Sequence, residues 1–172
     1  MRGACKVLKV AIIMGSDSDL GIMKSAGEVL EEFGIEYSMR ILSAHRTPDQ
    51  SIAFAKSAAA EGFGTIIAGA GGAAHLAGVI ASETTLPVIA VPIQGASLSG
   101  LDSLLSMVQM PAGIPVACVG VGAARNAAIL AAQILSLSDI ELREKLKAFK
   151  ARMEQQVMDK DSRLQQSGWR NY

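Results

Sequence analysis

Five apolar runs alternate with helix-forming segments along the chain. The runs predict strands at residues 7–15, 35–43, 65–70, 87–91 and 114–121. The segments that separate and follow them predict helices at residues 17–34, 47–61, 73–82, 98–109 and 125–137. Continuously apolar strands that alternate with helices are typical of a parallel sheet covered on both faces. The pattern therefore predicts an α/β fold, a flavodoxin-like three-layer α/β/α sandwich with a five-stranded parallel sheet and a C-terminal helix.

Two capping boxes mark the start of predicted helices. Thr47-Pro48-Asp49-Gln50 places proline at the first helical position, and Ser138-Asp139-Ile140-Glu141 opens the last helix. That last helix is amphipathic, and its apolar face is formed by Leu142, Leu146, Phe149, Met153 and Val157. We expect a single domain over residues 1–160, including this helix, and a flexible tail over residues 161–172.

Composition excludes several classes of protein. The chain has 16 Lys+Arg and 16 Asp+Glu, so it lacks the basic excess of a nucleic-acid binder. Half of its residues are hydrophobic, which excludes disorder. The apolar N-terminal stretch is too short to span a bilayer, so no membrane association is expected. Cys5 and Cys118 follow no metal or disulfide spacing, which indicates free thiols and a cytoplasmic location.

The distribution of charge predicts self-association. Between residues 64 and 124 the only Asp, Glu, Lys or Arg residues are Glu83 and Asp102. A stretch of this length with so few charges cannot form an ordinary wet surface. It is either buried on several sides or packed against other copies of the chain, because obligate interfaces are large and apolar. We therefore expect a homo-oligomer.

Ligands of such sheets bind outside the carboxyl ends of the strands, so the segments at 15–19, 43–48, 69–75 and 92–95 are candidates. The first turns a strand into a helix, where free N–H groups favour a phosphate. Its two carboxylates repel phosphate, so Asp19 either caps the helix or accepts from ribose hydroxyls. The four segments together define the region in which to look for a site.

The second segment brings Ser43, His45 and Arg46 together at a strand end. Arginine matches phosphate oxygens bidentately, and histidine suits proton transfer near neutral pH. The alternative is a solvent-exposed His-Arg pair in an ordinary loop. Position at the carboxyl edge of the sheet favours a small phosphorylated ligand, with His45 moving the proton.

The third segment, residues 69–75, contains a G-x-G-x-x-A match, but no acidic residue ends the next strand, as a dinucleotide site requires. We interpret the glycines as allowing close backbone approach to a ligand. His75 is then either a core histidine or a second polar group that faces the ligand. Two distant histidines without Cys or Glu partners make a poor metal site, so no metal is expected.

Four motifs resemble the PurE family of purine biosynthesis: MGSDSD (14–19), SAHRTP (43–48), IAGAGGAAHL (67–76) and GLDSLLSMVQMPAGIPV (100–116). The resemblance covers about residues 9–160. One class of this family is a mutase of N5-carboxyaminoimidazole ribonucleotide, and the other is a carboxylase that uses free CO2. The carboxylase class has a different loop that lacks the histidine, so His75 points to the mutase class.

The resemblance implies conversion of N5-carboxyaminoimidazole ribonucleotide to 4-carboxy-5-aminoimidazole ribonucleotide in IMP biosynthesis. His45 matches the family's catalytic general acid/base. The resemblance also implies substrate contacts at eight positions: Ser18, Ser43 and Arg46 around the 5′-phosphate, Asp19 on the ribose, Gly71, His75 and Leu76 at the base and carboxylate end, and Ser16.

The resemblance further implies a homo-octamer with active sites at subunit junctions. A separate ATP-dependent synthetase is the expected functional partner, because it would make the unstable substrate. No metal or organic cofactor is expected. The C-terminal helix would reach onto a neighbouring subunit, and Met110 and Pro111 would close over the site. Two alternatives stay open: a direct aminoimidazole ribonucleotide carboxylase that uses CO2, and a non-catalytic flavodoxin-like nucleotide-binding module.

Overall fold

In the part of the chain that the structure describes, five parallel strands form one sheet in the order β2-β1-β3-β4-β5. The computed structural model describes residues 8–95 and 97–172. Its strands are β1 Lys9–Met14, β2 Tyr37–Ile41, β3 Phe63–Gly71, β4 Val88–Ile93 and β5 Ala117–Cys118. This is the flavodoxin-like order. All strands run parallel, but the chain adds β2 on one side of β1 and then β3, β4 and β5 on the other, so the strand order reverses between β1 and β3. The predicted fold class is confirmed. The first predicted strand began at Val7, which lies outside the described residues, as does Cys5.

Within residues 8–95 and 97–172, six α-helices cover both faces of the sheet. They are α1 Leu20–Phe33, α2 Pro48–Ser57, α3 Leu76–Glu83, α4 Leu101–Val108, α5 Ala124–Leu135 and α6 Ile140–Ser167. Helices α1, α5 and α6 pack on one face, whereas α2, α3 and α4 pack on the other. Both central strands are buried, β4 throughout and β3 up to its last residue. Their burial explains why these two segments are continuously apolar.

Neither predicted capping box forms. Thr47 occupies the N-cap position of α2, but its side chain makes no capping hydrogen bond. The N-cap of α6 is Asp139, one residue later than predicted, and its Oδ1 accepts from the N–H of Leu142 at 3.0 Å. A sequence that offers Ser and Asp in succession contains two possible caps, and the carboxylate is the stronger acceptor.

The described contacts of helix α6 with the rest of the domain lie in its first half, where Arg152 also pairs with Glu32 of α1 at 2.7 Å. Leu142 and Leu146 are buried, and Phe149 stacks edge to face on Phe33 with ring centroids 5.4 Å apart. Farther along, Met153 and Val157 are exposed, so the predicted apolar face continues beyond the surface that it covers. The helix also runs through residue 167, past the boundary expected at 160. The flexibility of residues 161–172 stays a prediction.

Two elements fall furthest short of their predicted length. Helix α2 ends at Ser57 rather than near residue 61. Strand β5 has only two residues, although residues 114–121 form an apolar run. It lies at the edge of the sheet, where pairing is available on one side only, through Ala117 with Ile89 and Cys118 with Ala90. Among the described residues, no helix is both long enough and apolar enough to cross a membrane.

The packing of α1 on β3 leaves no room for a side chain at position 69, and substitution can test this. A Cβ atom on Gly69 would clash with the sulfur of Met23, whose side chain is fully buried. We expect Gly69→Ala to lower the free energy of unfolding by about 1–3 kcal/mol, because the overpacked core must shift. Urea unfolding at fixed protein concentration measures this change.

Gly21→Ala is the matched control. Gly21 lies in α1, and no packing neighbour comes within 4 Å of the place that an added methyl group would take. Alanine should therefore be neutral or stabilising there by up to ~1 kcal/mol. A Gly69→Ala protein as stable as the wild type would contradict the packing described for this strand.

Candidate active site

A cavity of about 550 Å³ opens at the carboxyl edge of the sheet. All nine residues predicted for the site line it, and they lie at or just after the carboxyl ends of β1, β2 and β3: Ser16, Ser18, Asp19, Ser43, His45, Arg46, Gly71, His75 and Leu76. A second cavity, of about 410 Å³, lies at the opposite edge between α1 and α6 and contains none of these residues. The fold thus brings together segments that are distant in the sequence.

The turn after β1 is closed by its own side chains. Asp19 Oδ2 accepts from the N–H of Ser16 at 3.1 Å, and the N–H of Ser18 donates to Asp17 Oδ1 at 3.1 Å. Carboxylates of the turn therefore already accept from two of the N–H groups considered for phosphate. Asp19 thus closes a capping box with Ser16 on the short 3-10 turn Asp17–Asp19, whereas its side chain makes no capping hydrogen bond to α1. The hydroxyls of Ser16 and Ser18 also lie at the cavity wall, where they donate to Asp17 Oδ1 at 3.0 Å and to Asp19 Oδ1 at 3.4 Å, so a phosphate would have to replace these hydrogen bonds.

Asp19 is a carboxylate that burial removes from water. It is only 8% exposed, and this burial raises its pKa above the ordinary value of 3.8. Hydrogen bonds from the Ser16 N–H and the Ser18 hydroxyl, and the charge of Arg46, act in the opposite direction on this pKa without cancelling the rise. A partly desolvated carboxylate of this kind is a strong acceptor for hydroxyl groups brought into the cavity.

The loop after β2 is organised around Ser43. Thr47 Oγ1 accepts from the Ser43 N–H at 3.0 Å and donates to the Ser43 carbonyl at 3.1 Å, which explains why it does not cap α2. Arg46 donates through Nε to Ser43 Oγ at 3.3 Å and through Nη2 to the Gly15 carbonyl at 2.7 Å. The guanidinium therefore spans the loops that follow β1 and β2, and its cation lies at the cavity wall.

The two histidines of the chain are in direct contact. Nε2 of His45 and Nδ1 of His75 are 3.0 Å apart, a hydrogen-bond distance, and the rings meet edge to face at 86°. His45 comes from the loop after β2, and His75 immediately precedes α3. Both rings line the cavity. Of the two interpretations of His75, the position facing the ligand cavity is the one observed.

The inner wall of the cavity is built from small and apolar residues. Ala70 and Gly71 end β3, and a Cβ on Gly71 would lie 3.3 Å from the carbonyl oxygen of Ile93. Ile93 ends β4, and its carbonyl accepts from the buried hydroxyl of Ser103 at 2.8 Å. The close approach inferred for the glycines is thus an approach of β3 to β4.

Several lining residues carry no sequence motif. Ile93, Gln94 and Gly95 line the cavity because β4 lies beside β3; residues 92–95 form one of the four candidate segments, but no role is predicted for any of them. Met110 and Pro111 do not line the cavity; the side chain of Met110 lies instead against Gly78 of α3. Among the described residues, no cluster of three or more His, Cys, Asp or Glu side chains is arranged to hold a metal.

Comparison with known proteins agrees with this fold. The sequence profile of the AIR carboxylase family matches residues 9–156. A protein of Thermotoga maritima named N5-carboxyaminoimidazole ribonucleotide mutase is 56% identical over 95% of this chain and 96% of its own length. A Pyrococcus horikoshii protein of the same name is also 56% identical, over 95% of this chain and 92% of its own length.

Two further relatives widen the comparison. The phosphoribosylaminoimidazole carboxylase of Schizosaccharomyces pombe is 50% identical over 95% of this chain, which corresponds to 30% of that longer protein. The crystal structure of Treponema denticola PurE superposes with a TM-score of 0.83 at 35% identity, over 90% of this chain and 97% of the other. On the matching profile, these relatives and the shared fold, the chain belongs to the AIR carboxylase family, which is the PurE family that its motifs resemble.

Proposed function

We infer that this protein is an N5-carboxyaminoimidazole ribonucleotide mutase of purine biosynthesis, an isomerase that moves a carboxylate from N5 to C4 of its substrate. The observation that carries the inference is the 56% identity, over 95% of the chain, to relatives that bear this name. The cavity at the carboxyl edge of the sheet supplies the chemistry that the reaction needs: a cation for phosphate, a carboxylate for ribose, a histidine for proton transfer and a small apolar wall.

The phosphate end of the substrate is proposed to lie at the loop after β2. Arg46 offers a guanidinium that bonds to Gly15 through one nitrogen and to Ser43 through another, which leaves further N–H donors for phosphate oxygens. The hydroxyls of Ser16, Ser18 and Ser43 line the same wall. Asp19 would accept from the ribose hydroxyls, which gives its carboxylate a partner beside a phosphate that it would otherwise repel.

His45 is proposed as the group that moves the proton. When the bond between N5 and the carboxylate breaks, CO2 is released and the electron pair of the bond stays on N5. N5 then takes a proton from the imidazolium of His45. C4 then attacks CO2 and forms the new carbon–carbon bond. The C4 proton returns to the imidazole, and the electrons of that C–H bond restore the aromatic ring. One histidine thus acts first as acid and then as base, with no net change.

Recapture of CO2 requires that the molecule stay beside C4. We place the CO2 molecule against the wall that contains Gly71, because this surface is apolar. Its other residues are Ala70, Ala73, Leu76 and Ile93. Apolar side chains offer water no hydrogen-bond partners, so water competes weakly with CO2 for this wall. Confinement converts the second step into an effectively intramolecular reaction, which favours recapture over escape.

Direct carboxylation is the second candidate function. Two observations favour it: the matching family is described as AIR carboxylase, and the relative from Schizosaccharomyces pombe is named a carboxylase. Both reactions would use the same cavity and differ in whether the carboxylate arrives on N5 or as free CO2. The source of the carboxylate therefore separates them.

The active enzyme is proposed to be a homo-oligomer, with the octamer that the family resemblance implies as the expected form. Leu101, Leu105 and Val108 follow one another at helical spacing on α4, and each is more than 40% exposed. Such an apolar stripe is typical of an interface rather than of a wet surface. Exposed Met153 and Val157 give α6 a second apolar surface for a neighbouring copy. A separate ATP-dependent synthetase in the cytoplasm is the proposed source of the substrate.

The mutase assignment predicts product formation without added CO2. Freshly prepared N5-carboxyaminoimidazole ribonucleotide is supplied in CO2-depleted buffer, and the C4-carboxylated product is followed above the uncatalysed background. We expect rapid formation with the wild type. His45→Asn is the matched control and should retain ligand binding while losing turnover. Product only from aminoimidazole ribonucleotide plus bicarbonate would contradict the mutase and establish the carboxylase.

We predict that the Asp19 carboxylate lowers the stability of the folded protein at neutral pH but strengthens substrate binding. Because burial raises its pKa in the folded state, stability present at low pH is lost as pH rises through that pKa. Asp19→Asn should therefore melt at the same temperature as the wild type or higher at pH 7, and this difference should shrink as pH is lowered. KM should rise about 10- to 100-fold through the lost charged acceptor. Calorimetry at several pH values and initial-rate kinetics measure both effects.

Arg46→Ala is the comparison for Asp19→Asn. It should raise KM by a similar factor, about 10- to 100-fold, but it removes no buried carboxylate and so should give no pH-dependent gain in melting temperature. An unchanged KM in either variant would remove that residue from the substrate site. A clearly lower melting temperature for Asp19→Asn at pH 7 would show that its hydrogen bonds outweigh the desolvation of its charge.

Light scattering tests the oligomer. At micromolar concentration we expect a mass several times the 17.9 kDa of one chain, close to eightfold for the octamer. Leu105→Asp, which places a charge in the apolar stripe on α4, should shift the mass downward. A wild-type monomer would contradict the proposed assembly.

A further inference from the structure

The hydrogen bond between His45 and His75 plays no part in the proton transfer as proposed so far. The hydrogen bond joins Nε2 of His45 to Nδ1 of His75 at 3.0 Å. A bond between two imidazoles carries a single proton, which belongs to one ring or the other. The nitrogen of His45 that this bond leaves available to a substrate is Nδ1.

The direction of this hydrogen bond decides what Nδ1 can do. If His75 donated, the neutral His45 ring would carry its proton on Nδ1 and could not accept another there. If His75 accepts, the neutral His45 ring carries its proton on Nε2, and Nδ1 has a lone pair. Only the second arrangement lets one atom of His45 give a proton as imidazolium and take one back as imidazole.

The fold favours His75 as the acceptor. His75 occupies the N-cap position of α3, and the N–H of Val79 donates to its carbonyl. A positive charge is disfavoured at the N-terminal end of a helix, and His75, as an N-cap, lies closer to such an end than His45, which precedes Thr47, the N-cap of α2, by two residues. The imidazolium formed during the reaction therefore belongs on His45, which donates to a neutral His75.

We propose that His75 is a positioning residue for the proposed reaction: its Nδ1 accepts from Nε2–H of His45 and thereby makes Nδ1 of His45 the atom that exchanges protons with the substrate. The bond between the rings persists through both steps. The Nδ1 proton of His45 goes to N5 as the N5–carboxylate bond breaks, and the proton from C4 returns to Nδ1. His75 holds the tautomer, as a carboxylate does for histidine in other enzymes. This inference rests on the proposed function.

Two substitutions of His75 separate this role from a direct substrate contact. The Oδ1 atom of asparagine takes nearly the place of Nδ1, so His75→Asn keeps an acceptor for His45. His75→Leu fills the same space with a carbon that accepts nothing. Both variants lack Nε2, so a contact from that atom to the substrate would be lost equally in both.

The expected result is a difference in kcat between these variants. We expect His75→Leu to lower kcat about 10- to 100-fold below His75→Asn, as loss of one charge-assisted hydrogen bond implies, with similar KM values for both. Equal kcat values for the two variants would overturn the positioning role. Both proteins are compared with the wild type by melting temperature and by mass, so that a folding or assembly defect is recognised.

Nitrogen-15 NMR of the histidine rings tests the same proposal without any assay of activity. The chain has two histidines, so the spectrum contains two rings, and His75→Asn assigns them. At about pH 9, above the ordinary titration range of histidine, wild-type His45 should be protonated on Nε2 and not on Nδ1. His75→Asn should preserve that form, and His75→Leu should give a mixture of both tautomers.

A wild-type His45 that carries its proton on Nδ1 would overturn the proposal. Among the residues that the structure describes, Asp19 and Arg46 are the other ionisable side chains that line the cavity, and both are unchanged in these variants. Failure of the proposed function has a different signature, since the wild type itself would then make no product from N5-carboxyaminoimidazole ribonucleotide. The two failures are therefore distinguishable.

Discussion

Parallel pairing of β1 with both β2 and β3 is the constraint on which the site depends. Because all three strands run in one direction, the segments that follow them emerge at the same edge of the sheet. Pairing in this order brings His45 within 3.0 Å of His75, although 30 residues separate them. It also lets Arg46 reach the carbonyl of Gly15 at the end of β1. Each of these contacts follows from strand order rather than from a local motif.

Small residues on β3 connect packing with chemistry. Gly69 leaves room for Met23 of α1, and two residues later Gly71 leaves room for the carbonyl of Ile93. The first glycine serves the core, and the second shapes the wall at which we place CO2. One narrow strand thus satisfies the packing of a buried sheet and the confinement of a small apolar molecule.

Much of this arrangement could be predicted from the sequence, for physical reasons. Continuous apolar strands and intervening helices predict the parallel sheet, and Gly34 ends α1 with the left-handed backbone expected of a terminal glycine (φ 72°). Polar residues placed just after strands identify the candidate site, because carboxyl ends of parallel strands meet. The nine predicted residues lie together for that reason.

Other features depend on contacts that no local pattern records. Thr47 was expected to cap α2, but its hydroxyl bonds instead to the backbone of Ser43. The short β5 reflects its place at the edge of the sheet, which apolarity alone does not reveal. Ile93 joins the cavity only because β4 lies beside β3. The bond between the two histidines likewise needs the geometry of two loops.

We propose that the carboxylate moves from N5 to C4 of the same substrate molecule, within one cavity. The most direct test supplies N5-carboxyaminoimidazole ribonucleotide labelled with carbon-13 in its N5 carboxylate, in buffer that contains excess unlabelled bicarbonate. Mass spectrometry of the product then reports whether the label arrives at C4. We expect nearly all product to carry the label, because CO2 is recaptured before it escapes. Product with the isotopic composition of the bicarbonate would contradict transfer within one molecule.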